Sequence, residues 1–161
     1  MSKTQIDAPA GVPFIDIERE FDAPRDLVFR AYTDPEMLVQ WLGPRKYKMT
    51  IERWEPRDGG KWRFIHSDDE GNAYGFHGVF HGEQTPDGIL QPFEFEGAPG
   101  HVSLEKLVLE ERDGKTTVRN HAVYQSIEAR DAMINSGMES GMDDGFDRLD
   151  DLLARLRQPV A

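Results

Sequence analysis

The chain has 161 residues, 38% of them apolar, which is enough for one globular domain with a sizeable core. Nineteen basic and thirty acidic residues give a net charge of −11. Such a chain is repelled by phosphate backbones and anionic membranes, so we expect neither a nucleic-acid-binding nor a membrane-associated protein. The lack of cysteine excludes disulfides, thiol catalysis and thiolate metal sites.

The first twelve residues hold only scattered small apolar groups between polar ones, and they are predicted to form a mobile leader over residues 1–12. They lack the apolar stretch of a signal peptide, and no segment approaches the roughly 18 apolar residues of a membrane helix. We therefore expect a cytoplasmic protein whose single domain spans residues 13–158.

The first predicted strand is Pro13–Phe21, which alternates apolar and charged side chains with the period of two of a half-buried strand. Two short helices follow, and a proline opens each where its missing N–H costs nothing. Ala23-Pro24 begins the first helix, and Asp34-Pro35 supplies a cap and a start for the second. Gly43-Pro44 ends the second helix.

Six further strands are predicted between turn signals. Asp-Gly between alternating segments indicates a hairpin, because both central residues accept a positive φ. Consecutive hairpins make a meander, so most of the sheet should be antiparallel. The predicted strands are about Lys46–Glu55, Lys61–Ser67, Ala73–Glu83, Ile89–Glu96, Val102–Glu111 and Lys115–Gln125.

The apolar period becomes helical after Ser126, which is expected to cap a first short helical segment. A long amphipathic helix follows, with an inward face of Met138, Met142, Phe146, Leu149, Leu153 and Leu156. The prediction is an α+β fold in which a curved antiparallel sheet of about six or seven strands surrounds this C-terminal helix. A strongly bent sheet leaves space beside the helix, and that space is a natural ligand cavity.

Glycines recur every fourth residue at Gly137, Gly141 and Gly145, beside the methionines of the long helix. Each costs roughly 1 kcal/mol relative to Ala in a helix interior, so something must approach the backbone closely. Tight packing of the helix on the sheet is the favoured interpretation, and room for a ligand is the alternative. The methionines are either plain core or part of an adaptable pocket.

Aromatic residues and methionines supply the candidates for a cavity wall. The candidate ligand-binding residues are Trp41, Trp62, Phe64, His66, Phe80, Phe95, Tyr124, Met138 and Met142. His66, His77 and His81 with Glu83 suggest zinc, but their spacing matches no metal signature, so we predict no metal site. No nucleophile elbow, zincin, Walker or dinucleotide motif is present, and we predict no catalytic residue and no cofactor.

Short motifs in a fixed order resemble a known family. The motifs are Arg19–Pro24, Val28-Phe29, Thr33–Glu36, Trp41 with Gly43-Pro44, Asp58–Arg63, Gly75–Gly78, Gly97–His101, Asp113–Thr116, Ser136–Met138 and Leu149–Leu153. The series is similar to the SRPBCC superfamily of START-like, Bet v 1-like helix-grip proteins. More narrowly, it resembles the bacterial group named after the activator of Hsp90 ATPase.

The resemblance implies a helix-grip fold with a hydrophobic cavity between the sheet and the C-terminal helix. It favours a cytoplasmic protein that binds a hydrophobic or amphipathic small molecule. One alternative is a cyclase- or aromatase-like enzyme, with His66, His77, Tyr124 and Arg63 as candidates for proton transfer. The other is a co-chaperone-type module that stimulates the Hsp90 ATPase. A homodimer and a chaperone are therefore further candidate partners.

Overall fold

A computed structural model describes residues 3–157, within which nine strands form one sheet. The strands are β1 (Gln5–Asp7), β2 (Phe14–Phe21), β3 (Lys48–Trp54), β4 (Lys61–Ser67), β5 (Ala73–Val79), β6 (His81–Thr85), β7 (Gly88–Phe95), β8 (Val102–Arg112) and β9 (Lys115–Val123). The helices are α1 (Arg25–Thr33), α2 (Pro35–Leu38), α3 (Ile127–Asn135) and α4 (Met138–Arg157).

The sheet order is β1-β2-β9-β8-β7-β5-β4-β3, and β6 pairs with β7 outside this path. Each of these pairings is antiparallel, which confirms the predicted meander. The sheet curves around α4, so the predicted helix-grip architecture is confirmed. At the β8–β9 hairpin, Asp113 and Gly114 have φ values of 54° and 78°, as a two-residue turn requires.

Part of the predicted leader belongs to the sheet. Gln5–Asp7 pairs antiparallel with the outer side of β2, and Ile6 packs against the core. That residues 1–12 form a mobile leader stays a prediction. A three-residue strand is too short to show a period of two in the sequence. Residues 1 and 2, and residue 158 at the predicted domain end, lie outside the described residues.

The predicted strand Ala73–Glu83 is two strands, β5 and β6. At the break, the Phe80 N–H donates to the Gly60 carbonyl and the Phe80 carbonyl accepts from the Gly59 N–H, each at 2.8 Å. Phe80 is therefore paired with the β3–β4 loop rather than with β7. The strand count rises from the predicted seven to nine through this break and through β1.

The helices start as their capping residues predict. The Asp34 carboxylate accepts from the Glu36 N–H at 3.0 Å, and the Ser126 hydroxyl accepts from the Ala129 N–H at 3.0 Å. Gly137 has a φ of +86° and separates α3 from α4, so it does not lie within the long helix as predicted.

Helix α4 buries Phe146, Leu149, Leu152 and Leu153 in the hydrophobic core. Leu156, predicted to face inward, is 49% exposed because the last turn passes beyond the core.

Another segment does approach the helix backbone closely at Gly141 and Gly145, as predicted. That segment is the one after α2, and not the sheet that we expected. A Cβ on Gly145 would lie 3.2 Å from the Gly43 nitrogen, and one on Gly141 would lie 3.4 Å from Pro44. Helix α4 therefore packs on the segment after α2, which fixes one side of the space between helix and sheet.

Candidate functional site

A cavity of about 940 Å³ lies between the concave face of the sheet and α4. Strands β4, β5, β7, β8 and β9 form one wall, and Met138, Met142 and Phe146 of α4 form the opposite wall. The segment after α2 closes one end through Trp41 and Leu42. The volume falls at the upper end of the range typical of small-molecule sites.

The sheet wall is a continuous aromatic layer. Ring centroids lie 5.4 Å apart for Trp62 and Phe64, and 5.1 Å apart for Phe64 and Phe76. Phe76 is in turn 5.4 Å from Phe93 and 5.1 Å from Phe95. Such offset and tilted contacts hold each ring in place, so this wall is preformed rather than collapsed.

Eight of the nine candidate ligand-binding residues line the cavity: Trp41, Trp62, Phe64, His66, Phe95, Tyr124, Met138 and Met142. Phe80 does not line the cavity, because it lies at the break between β5 and β6 and its ring points away from the cavity. It is 1% exposed and packs edge-on against Trp54, with centroids 5.3 Å apart. That the other eight contact a ligand stays a prediction.

The cavity has one side on which its lining residues are exposed. We call this side the mouth, and it comprises His101, Gln125, Glu128, Ala132 and Ser136. These residues belong to the β7–β8 connection, the β9–α3 link, α3 and the α3–α4 link. The remaining lining residues are buried or half-buried, so a ligand would enter between α3 and the β7–β8 connection.

One carboxyl group faces the cavity interior. Glu105 lies on β8, flanked by Gln91 on β7 and Ala122 on β9. Burial raises the pKa of Glu105 to about 7, because the charged form is poorly solvated there. Burial first, and the negative charge of Glu105 second, raise the pKa values of Tyr32 and Tyr124, both of which line the cavity.

Three buried polar atoms on the cavity wall have no hydrogen-bond partner within residues 3–157: His66 Nε2, Trp62 Nε1 and Asn120 Oδ1. His66 stacks on Tyr47, with centroids 5.8 Å apart and an interplanar angle of 12°. Burial, and then the charge of Arg148, lowers the pKa of His66 to about 4, so the ring is neutral at physiological pH.

Two of the four candidate proton-transfer residues lie outside the cavity. Arg63 donates twice to Glu96 at 2.8 Å and also pairs with Glu52, while His77 Nδ1 lies 2.9 Å from Glu96. Arg63 first, and then His77, lowers the pKa of Glu96 to about 2. Arg63 and His77 therefore form an outer-face ion-pair network, and only His66 and Tyr124 of the four line the cavity.

The histidines that suggested zinc are not brought together. His66 lines the cavity, His77 joins the outer network, and His81 is exposed on β6. Among residues 3–157, no three or more His, Cys, Asp or Glu side chains are arranged to hold a metal ion.

Sequence reasoning missed several polar lining residues: Tyr32, Gln91, Ser103, Glu105 and Asn120. For Glu105 a signal was available. It shares the inward parity of β8 with Ser103, Leu107 and Leu109, which are all buried. A charged residue on the apolar parity of a strand is uncommon and marks a position to examine.

The fold and its cavity define a helix-grip protein. The solved structures include a close match, a protein from Rhodobacter sphaeroides with 29% sequence identity and a TM-score of 0.87, covering 95% of this chain and 99% of that one. A protein from Arthrobacter aurescens has 26% identity and a TM-score of 0.85, covering 94% and 91%. One from Mycobacterium smegmatis has 22% identity and a TM-score of 0.84, covering 95% and 97%, and shows the fold alone.

The family model of the activator of Hsp90 ATPase homolog 1-like proteins matches residues 22–154. The chain therefore belongs to this family, which confirms the resemblance read from the sequence motifs. Comparison with curated proteins found no match. No helix within residues 3–157 is both long enough and apolar enough to cross a membrane.

Proposed function

We propose that this protein binds a hydrophobic or amphipathic small molecule in the cavity between the sheet and α4, as a cytoplasmic carrier or sensor. The observation that supports this most directly is the volume of about 940 Å³ behind a preformed aromatic wall. A ligand in this cavity would gain about 25 cal/mol for each Å² of apolar surface that it buries against the aromatic wall.

The test is binding of an uncharged fluorescent probe, Nile red, followed by displacement with decanol. All three tryptophans of the chain, Trp41, Trp54 and Trp62, line the cavity, so their emission reports occupancy independently. We expect saturable Nile red binding, displacement by decanol, and a change of tryptophan emission at the same concentrations.

A pair of variants on one helix locates the binding. Met142→Trp fills the cavity from α4, whereas Glu139→Trp adds the same side chain to the exposed face of the first turn. We expect Met142→Trp to weaken Nile red binding at least about tenfold and Glu139→Trp to bind like the wild type. Equal binding by both variants, or none by the wild type, would overturn the proposal.

The enzyme and co-chaperone alternatives stay predictions. His66 and Tyr124 keep two candidate proton-transfer groups in the cavity, while the family name provides the link to the Hsp90 ATPase. A chaperone ATPase assay with the protein at saturation tests the second alternative.

A further inference from the structure

We infer that the cavity selects cationic amphiphiles, which are amines carrying an apolar body, and that Glu105 is the residue that recognises their charge. This inference rests on the proposed function, because it names the ligand class for the same cavity. It follows from the position of Glu105, from its lack of a partner among residues 3–157, and from the absence of Lys and Arg on the wall that those residues form.

Glu105 lies in the middle of the sheet, and its side chain faces the cavity between Gln91 and Ala122. It makes no hydrogen bond or ion pair with any other residue in the range 3–157. Glu105 is half-buried, and its carboxylate oxygens are not among the fully enclosed atoms that lack a partner in residues 3–157. They therefore stay accessible on the cavity side, where a bound group could pair with them.

The charges around Glu105 favour a cation over an anion. No described residue that lines the cavity is Lys or Arg. The nearby Arg19 is occupied by Asp147 and Asp150, at 3.1 and 2.5 Å, and Arg148 donates to main-chain carbonyls. A fatty-acid carboxylate would meet the negative charge of Glu105 without a compensating cation.

Other groups that face this region are neutral acceptors or acids. Asn120 on β9 offers an Oδ1 without a partner among the described residues, and the mouth carries the carboxylate of Glu128. Tyr32 from α1 and Tyr124 after β9 face Glu105 and keep their protons, since their pKa values are raised. Helix α4 presents only Met138, Met142 and Phe146 among its large side chains.

The two histidines that line the cavity do not change the preference for a cationic ligand. His66 on β4 is neutral because burial lowers its pKa to about 4, and His101 is exposed at the mouth. The chain as a whole carries a net charge of −11, which attracts cations from solution. An ammonium group beside Glu105 would supply the missing counter-charge and restore its ordinary ionisation.

The experiment compares decylamine with decanol as competitors of Nile red at pH 6 and pH 8. An alkylamine is protonated at both values, since its pKa resembles the lysine value of about 10.4. With a pKa of about 7, Glu105 is about one-tenth ionised at pH 6 and about nine-tenths ionised at pH 8. We expect decylamine to bind about tenfold more tightly at pH 8, and decanol affinity to change less than about twofold.

Two substitutions test whether Glu105 causes the pH dependence and the preference for decylamine. Glu105→Gln removes the charge with little change of shape, and we expect it to abolish both the pH dependence and the preference for decylamine. Glu83→Gln removes the same charge from an exposed position on β6 and should behave like the wild type. If decanol binds but decylamine shows no preference, or if Glu105→Gln keeps the pH dependence, this inference fails while the proposed function stands. If neither competitor binds, both fail.

Discussion

Replacing Glu105 with Gln is expected to stabilise the ligand-free protein at alkaline pH and to leave its stability nearly unchanged at pH 4. The pKa of this carboxyl rises from 4.5 to about 7 on folding, because burial disfavours the charged form. Between these values the folded state binds more protons than the unfolded state. The stability contribution of the protonated carboxyl is therefore complete below pH 4.5 and is lost as the pH rises through about 7.

The magnitude follows from the same two values. Each tenfold step in proton affinity is worth about 1.4 kcal/mol, so the raised pKa lowers the stability of the wild type, relative to its stability below pH 4.5, by about 3 kcal/mol at pH 8 and about 2 kcal/mol at pH 6. Because Gln cannot ionise, the free energy of unfolding of the variant should exceed that of the wild type by up to these amounts.

Urea unfolding at pH 4, 6 and 8 measures the free energy of unfolding directly. Other titrating groups are common to both proteins, so the difference between the two curves isolates Glu105. Glu83→Gln serves as the control, since it removes an exposed carboxylate, and its curve should run parallel to that of the wild type. A difference between Glu105→Gln and the wild type that is the same at pH 4 and pH 8 would refute the reasoning.

Three further outcomes are expected. The pKa of His66 falls from 6.5 to about 4 on folding, so the stability that the neutral ring contributes is lost on acidification. Between pH 8 and pH 4, the free energy of unfolding measured in urea should therefore fall by about 3 kcal/mol less in His66→Phe than in the wild type. Phe146→Asp should lower stability by more than about 3 kcal/mol in calorimetry, whereas Leu156→Asp, on the 49% exposed residue of the same helix, should cost less than about 1 kcal/mol. Gly43→Ala should lower the midpoint urea concentration of unfolding more than Gly71→Ala does. Both glycines have a positive φ, but only at Gly43 would the new Cβ lie 2.5 Å from the His66 ring. Equal losses for the two glycine variants would contradict the packing of Gly43 on His66.

Local chemistry made most of the fold predictable. The Asp34 and Ser126 caps and the Asp113-Gly114 turn act through neighbouring atoms, so their residue types alone indicate the structure. The break at Phe80 was hidden because it depends on main-chain bonds to Gly59 and Gly60, twenty residues or so away. A uniform period of two cannot reveal such a distant partner.

The candidate site was predictable in outline for a similar reason. Large aromatic residues on strands, such as Trp62 and Phe64, are enriched on the concave face, and both line the cavity. Their distribution between solid core and cavity wall depends on how far the sheet curves, which no local pattern encodes. Phe80 illustrates this limit, since it is as buried as the wall residues yet lies off the cavity.

The amino-terminal strand has a consequence for any shortened version of this chain. Beginning the protein at residue 13 would delete the Pro9 carbonyl that accepts from Arg130 at 2.5 Å, and the Thr4 hydroxyl that accepts from Arg19 at 3.3 Å. Both guanidinium groups belong to residues that are 3% exposed. Removing residues 1–12 would thus take a hydrogen-bond acceptor from each of two buried guanidinium groups, and through Arg130 it would loosen α3, the helix that lies beside the mouth of the cavity.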